Sequence, residues 1–206
     1  MKFRTAVRSD LSGLVRLMTR AFQNYPTFTM AFCPAFQKTG GYCQFLDDYF
    51  TMALRSYWHK GQIVVAEEHG RPVAIGVLAA PTVKVTWWDD LRCGGLRLVW
   101  PYLRHRQSRL REIEQADGMG QPDEGTWTLV YFAVDPTVQG RGIGTALLQQ
   151  QLVPIAKAAG ARQLTLVTNT HRNVAYYRGQ GFQVVCKRQV KCSAGVVFNW
   201  QLTRLI

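Results

Sequence analysis

Ala133-Val134-Asp135-Pro136-Thr137-Val138-Gln139-Gly140-Arg141-Gly142-Ile143-Gly144-Thr145 reads as the end of a strand, a short loop and a glycine-rich opening of a helix. Glycines at 140, 142 and 144 let backbone N–H groups approach an anion with no Cβ in between. The first turn of a helix leaves its N–H groups unpaired and carries the positive end of the helix dipole. Such a loop suits the pyrophosphate of a phosphorylated cofactor. Two common cradles fail on specific residues. A dinucleotide fingerprint starting at Gly140 needs its third glycine where Thr145 stands, and an acid about 20 positions on, where the chain has none. A Walker A loop needs a Lys that is missing here. A purely structural turn stays open as a third reading.

Working outward, residues 126–134 form a strong strand run, and 142–160 pattern as a helix in which Pro154 removes the bond to Gln150 and predicts a bend. Residues 164–168 read as a buried strand, 173–179 as a short helix, and 182–190 with 196–203 as a closing pair of strands. Before the loop, residues 2–7 read as a strand and Ser9-Asp10 as the cap of a helix over Leu11–Phe22. Tyr25-Pro26 stops that helix, 27–41 is aromatic and irregular, and 42–59 is a second helix. Runs 62–67 and 73–78 flank a turn and predict a hairpin. Residues 91–111 read as a helix interrupted by Gly94-Gly95 and Pro101, and 119–125 as a loop. The order predicts one α/β domain over 1–206, a single sheet of about seven strands with helices on both faces.

The chain has 206 residues, enough for a sizeable core. Its net charge of +12 is unevenly spread. Residues 136–206 carry nine Lys or Arg and no acid (+9), whereas 1–135 carry sixteen basic and thirteen acidic residues (+3). The half with the glycine loop therefore attracts anions, and any carboxylate chemistry must come from the first 135 residues. Cys33, Cys43, Cys93, Cys186 and Cys192 are scattered, with no CxxC pair and no His at ligand spacing, so no metal site is expected. No apolar run is long enough to span a bilayer, and the start turns polar too soon for a signal peptide. A cytoplasmic location without membrane partners is the expectation.

Gln139 to Gly144 resembles the Q/R-x-x-G-x-G/A signature of the GNAT (GCN5-related) N-acetyltransferases, and Asn173-Val174-Ala175-Tyr176-Tyr177-Arg178-Gly179-Gln180-Gly181-Phe182 resembles that family's N-x-x-x-Y-x-x-x-G-F segment. The spacing between the two motifs and the order of elements also fit. The resemblance implies a mixed, mostly antiparallel sheet with a splayed central strand pair, and acetyl-coenzyme A as co-substrate. It implies that residues 1–125 bind the acceptor and 126–206 the acetyl-coenzyme A. By the same resemblance, Gln139, Gly140, Arg141, Gly142, Ile143, Gly144 and Thr145 cradle the pyrophosphate. The backbone of Phe132 and Val134 holds the thioester and pantetheine, Asn173 bonds the pantetheine arm, and Tyr177 protonates the departing thiolate. Arg172, Arg178 and Lys157 are candidates for the 3′-phosphate.

The acceptor half is less defined. Histone-type members carry a Glu on the strand before the loop, and the matching position here is Thr128, which is no base. Glu67, Glu68, Asp89, Asp90 and Glu124 are the carboxylates that stay open for that role. Phe22, Tyr25, Phe28, Phe32 and Phe36 lie between the first two helices, where the family builds its acceptor pocket, and Trp87, Trp88, Trp100 and Tyr102 follow. The region is similar to members that modify small molecules such as aminonucleoside antibiotics, which implies an apolar or aromatic primary amine. A protein or aminoacyl-RNA acceptor is the alternative, supported by the basic run Arg104 to Arg111. A non-catalytic acyl-coenzyme A-binding regulatory domain is another. Exposed strand edges are compatible with a homodimer.

Overall fold

A computed structural model describes residues 1–36, 40–98, 123–192 and 195–206. Its order is β1 (Lys2–Thr5), α1 (Leu11–Phe22), α2 (Pro26–Ala31), α3 (Cys33–Phe36), α4 (Tyr42–Trp58), β2 (Gln62–Glu68), β3 (Arg71–Ala79) and α5 (Trp87–Asp90). Then come β4 (Thr126–Val134), α6 (Ile143–Leu147), α7 (Val153–Ala158), β5 (Gln163–Thr168), α8 (His171–Gly179), β6 (Gln183–Cys192) and β7 (Gly195–Leu205). The strands form one seven-stranded sheet, β1-β2-β3-β4-β5-β7-β6. Every neighbouring pair is antiparallel except β4 with β5. This is the mixed, mostly antiparallel α/β sheet flanked by helices that the sequence predicts.

Strand alternation builds two cores. On β2 and β3, Ile63, Val65, Ile75 and Val77 face α1 and α4, packing with Leu14, Leu17, Met18, Leu46, Phe50 and Leu54. Val64, Ala66, Ala74 and Leu78 face the other way, onto Leu147, Leu148, Leu152 and Ala156. The β2–β3 turn has φ 49° at His69 and 74° at Gly70, the two positive φ values that a tight hairpin turn with matched twist requires.

The decisive irregularity is at β4. Its pairing with β3 runs Val77↔Tyr131, then Leu78↔Leu129, so Val130 is an extra residue, a bulge that adds local twist. β5 keeps full register with β7 from Gln163↔Leu205 to Thr168↔Trp200. β4 and β5 pair only at Thr126↔Gln163, Trp127↔Leu164 and Thr128↔Thr165. Beyond Thr128 each strand follows its other neighbour and the sheet forks, as the splayed pair expected from the resemblance.

Several local expectations are corrected. Asp10 does not cap α1. It closes a 3₁₀ turn, accepting from Val7 N–H at 2.8 Å and from Arg4 Nη1 at 2.6 Å, because the carboxylate gains more from a guanidinium than from a helix end. Residues 27–41 hold two short helices rather than irregular chain. Pro26 starts α2 at its first position, and Phe28, Phe32 and Phe36, four apart, stack along one face against Phe45 and Phe50. Ahead of Pro154 the helix opens into a π turn over Leu148–Leu152. Val153 N–H reaches back to Leu148 O, and this wider turn accommodates the residue with no donor. Gly94 interrupts its helix with φ 114°. The rest of that expected helix, including Trp100, Pro101, Tyr102 and the Arg104–Arg111 run, and most of the 119–125 loop, lie outside the described residues.

Gly76 sits where β3 crosses beneath the π turn. A Cβ there would stand 2.4 Å from Leu152 Cδ1 and 2.8 Å from its Cδ2, and Leu152 is fully buried. Gly76→Ala is expected to destabilise the fold by about 1–3 kcal/mol, read as a lower denaturant midpoint with unchanged slope.

Candidate active site

The loop after β4 is held from below before it turns. Asp135, buried, accepts from Thr137 N–H at 3.1 Å and Thr137 Oγ1 at 2.9 Å, and pairs with Arg20 from the last turn of α1. Burial opposes ionisation of Asp135, but the Thr137 N–H and the Arg20 guanidinium prevail and hold its carboxyl below the ordinary range. The chain then passes Gly140 at φ 82° and Gly142 at φ 76°, conformations that cost a side chain. Gly144 is glycine for a different reason. A Cβ there would lie 3.1 Å from Val134 Cγ2 and 3.4 Å from both a Phe132 ring carbon and the Tyr176 hydroxyl. Two glycines thus shape the loop, and the third lets α6 press on β4. The N–H groups of Ile143, Gly144 and Thr145 precede the first helical bond, from Ala146 N–H to Gly142 O.

The fork supplies the second element. Asp135 N–H bonds Val73 O, so on this register Tyr131 and Ala133 also exchange bonds with β3. Phe132 and Val134 therefore point their N–H and C=O groups at the other edge, where β5 has diverged. Gln139 Nε2 donates to Val134 O at 3.0 Å from that side. A cavity of about 630 Å³ runs along this edge. Phe132, Val134, Gln139, Gly140, Gly142, Ile143, Gly144, Thr145, Asn173 and Tyr177 all line it. Arg141 does not: it forks onto Glu68 at 3.0 and 3.1 Å on the exposed side of the loop. Of the three candidates for a further phosphate, Arg172 lines the cavity and Arg178 and Lys157 do not.

α8 forms the far wall. Thr170 caps it, accepting from Asn173 N–H at 3.1 Å, and Asn173 Nδ2 donates to Thr168 Oγ1 at 3.0 Å. Tyr177 is 7% exposed, packed against Phe132, Tyr176 and Phe182. Burial, and then the neighbouring phenols of Tyr25 and Tyr176, push its hydroxyl well above the usual phenol range, so it holds its proton at every physiological pH.

A second cavity of about 270 Å³ lies beside the first, lined from both β4 and β5. Phe22, Phe28, Phe32, Tyr49 and Tyr131 make it aromatic, and it shares Phe22, Tyr25, Phe132, Asn173 and Tyr177 with the first. Phe36 packs instead on Tyr42 and Phe45. Trp87 and Trp88 stack on each other at the surface, 64% and 55% exposed. Thr128 lies at the closed end of the fork, on neither cavity. The five carboxylates named above are engaged or exposed. Glu67 meets Arg4, Glu68 meets Arg141, Asp89 meets Lys60, Asp90 accepts from Ser56 Oγ at 2.9 Å and Glu124 is exposed. None of the five lines either cavity. Among the described residues there is no cluster of three metal-ligating side chains, and no helix long and apolar enough to cross a membrane.

Three contributors carry no motif in the sequence: the Val130 bulge, the Arg20–Asp135 pair, and Tyr25 at the junction of the cavities. Tyr25 stands among the aromatic residues that the sequence places at the acceptor side, and Pro26 after it fixes its backbone, but nothing in the sequence marks its hydrogen bonds across to residues 168 and 169.

A family model described as acetyltransferase (GNAT) family matches residues 29–182. No curated protein matches the sequence. Among solved structures, one described as histone acetyltransferase HPA2 and related acetyltransferase, from Corynebacterium glutamicum, is 20% identical with a TM-score of 0.70, covering 99% of this chain and 95% of its own. A ribosomal-protein-alanine N-acetyltransferase from Brucella melitensis is 14% identical, with TM-score 0.62 and full coverage of both chains. The ribosomal-protein-S18-alanine N-acetyltransferase from Escherichia coli is 15% identical, with TM-score 0.56, covering 100% of this chain and 93% of its own.

The Asp135 carboxyl, lowered in the folded state, adds stability above its unfolded pKa of about 3.9 and loses it as pH falls through the folded value. The melting-temperature gap between the parent and Asp135→Asn should accordingly be constant from pH 8 to about pH 5 and close below about pH 4. A gap that persists at pH 2 would contradict this.

Proposed function

The chain belongs to the GNAT acetyltransferase family, and from that premise we propose that it moves an acetyl group from acetyl-coenzyme A to the primary amine of a small apolar or aromatic molecule. The observation that carries this reading is that two cavities meet at Tyr177, one running along the unpaired edge of β4 to the glycine loop and one walled by aromatic rings. In this reading residues 1–206 act as one catalytic unit, 1–125 supplying the acceptor side and 126–206 the donor side.

The geometry supports the following roles. The N–H groups of Ile143, Gly144 and Thr145, with Gln139, Gly140 and Gly142 shaping the loop, face the pyrophosphate. Arg141 reaches the phosphates only by leaving Glu68, so it is assigned the outermost contact, and Arg172 a more interior one. The edge groups of Phe132 and Val134 pair with pantetheine as an added strand would, and an N–H aimed at the thioester oxygen steadies the charge that develops there. Asn173 orients the arm. Tyr177, kept protonated by burial, gives its proton to the departing sulfur. The amine must lose a proton before or during attack. None of the five candidate carboxylates lines the cavities, so the amine proton is assigned to water in the open cavities, which also restores the Tyr177 phenol after it protonates the sulfur.

Shared walls support direct transfer with both substrates bound. Initial-velocity lines that intersect would fit this, and parallel lines would indicate a covalent acetyl-enzyme instead.

Two of the solved structures above are named for ribosomal-protein alanine acetylation, so peptides belong in the test. Thiol release from acetyl-coenzyme A is measured with 2-phenylethylamine, phenylalanine amide, an aminoacyl-RNA and an alanine-initiated peptide. Turnover of the small aromatic amines supports the proposal, and turnover of the peptide or RNA alone overturns the acceptor assignment. Coenzyme A binding without any turnover favours a regulatory acyl-coenzyme A-binding domain.

Tyr177→Phe should lower kcat by about a hundredfold, while the Kd for coenzyme A stays within about twofold. Below pH 9 the parent should show no alkaline fall in kcat from this group, since its phenol titrates above the ordinary value. Unchanged kcat in Tyr177→Phe would remove Tyr177 from the mechanism.

A further inference from the structure

The donor and acceptor cavities are built by different parts of the chain, and one side chain ties them together. Tyr25 precedes α2 with an extended backbone, φ −76° and ψ 133°, and Pro26 locks the first helical position after it. Its phenol reaches the end of β5 at the wide end of the fork. The hydroxyl accepts from Asn169 N–H at 2.8 Å and shares a hydrogen bond with Thr168 Oγ1 at 2.9 Å. Thr168 is only 1% exposed, and its Oγ1 also accepts from Asn173 Nδ2 at 3.0 Å. Asn169 in turn donates to Phe198 O at 3.2 Å and to Asn199 Oδ1, which anchors the same corner to β7.

We propose that Tyr25 is a positioning residue whose clasp onto Asn169 and Thr168 sets the width of the passage between the two cavities, and with it how the acceptor amine is presented. The proposal rests on the reading of the two cavities as donor and acceptor sites. Backbone pairing between β4 and β5 ends at Thr128, so the open end of the fork has no ladder bonds to fix its separation. The clasp instead ties the corner between α1 and α2 to the end of β5, through a side-chain bond between residues 144 apart in sequence. It closes beside Tyr177, and the Tyr25 ring lies edge-on to Phe22 at 5.4 Å on the walls of both cavities. Because Tyr25 and Asn173 bond the same Thr168 oxygen, a shift of the acceptor wall is felt by the amide assigned to the pantetheine arm. The clasp therefore does more than tether α2: it references the acceptor wall to the donor site.

The test is Tyr25→Phe, which keeps the ring and removes both bonds, assayed with acetyl-coenzyme A and the amine from the panel above that the parent turns over fastest. The KM for the amine should rise about tenfold, with kcat falling less than about threefold. Coenzyme A affinity, measured by titration calorimetry without amine, should stay within about twofold. Discrimination between that amine and a homologue two methylenes longer should narrow. Thr168→Val removes the Tyr25–Thr168 bond, and with it the Asn173 bond to the same oxygen, while keeping the Asn169 bond; it should move the amine KM in the same direction by less, which preserves the test if Tyr25→Phe folds poorly. A lower melting temperature with unchanged amine KM and discrimination, in either folded variant, would overturn the proposal and leave a mere tether. A parent that neither binds coenzyme A nor turns over any amine overturns the functional reading itself. Coenzyme A binding and turnover with an unmoved KM overturns the clasp alone.

Discussion

β4 cannot stay paired with both of its neighbours. The bulge at Val130 turns its second half with β3, while β5 is held in register by β7 over its whole length. A row of N–H and C=O groups is thereby left on the sheet's interior edge, where an unmet backbone group is costly. The rest of the site is arranged around that cost. Gln139 takes one carbonyl, Tyr25 holds the end of β5, α8 walls the far side and the glycine loop caps the near end. The edge keeps the donors and acceptors to pair one more extended segment, which the sheet itself does not supply.

The glycine loop was legible because its requirements are local. Positive φ at 140 and 142 demands glycine, and nothing else in the chain needs to be known. Gly144 was also legible as part of the motif, although its reason lies in the approach of Val134, Phe132 and Tyr176 rather than in the anion. The strand and helix order, and with it the sheet, followed from periodicity. What escaped was non-local. Arg141 meets Glu68 73 residues away, and Arg20 meets Asp135 115 away. Val130 is an ordinary strand residue, so nothing in its chemistry marks a bulge. The 27–41 segment was misjudged for another reason: the weight given to Tyr25-Pro26 as a stop hid the four-residue spacing of Phe28, Phe32 and Phe36.

Charge follows the same division. Past Asp135 the sequence has no acid, so the loop and α8 carry a field no local carboxylate cancels. The acids that do reach this region come from earlier strands, as Glu68 does, or hold the loop's base, as Asp135 does. Two effects are thereby separated on one short loop: Asp135 fixes its shape, and Glu68 tempers the charge at its tip.

The π turn over Leu148–Leu152 carries a consequence of its own. Each residue of a helix turns the face by about 100°, so one residue beyond the regular period sets α6 and α7 out of phase. That offset is what lets Leu147 with Leu148, and Leu152 with Val153, all be buried. The N-terminal end of this helix faces the glycine loop and its C-terminal end grips the core. Length here is therefore a phase setting. Deleting a single residue between them would leave the composition almost untouched, yet rotate the first-turn N–H groups of Ile143, Gly144 and Thr145 relative to the sheet.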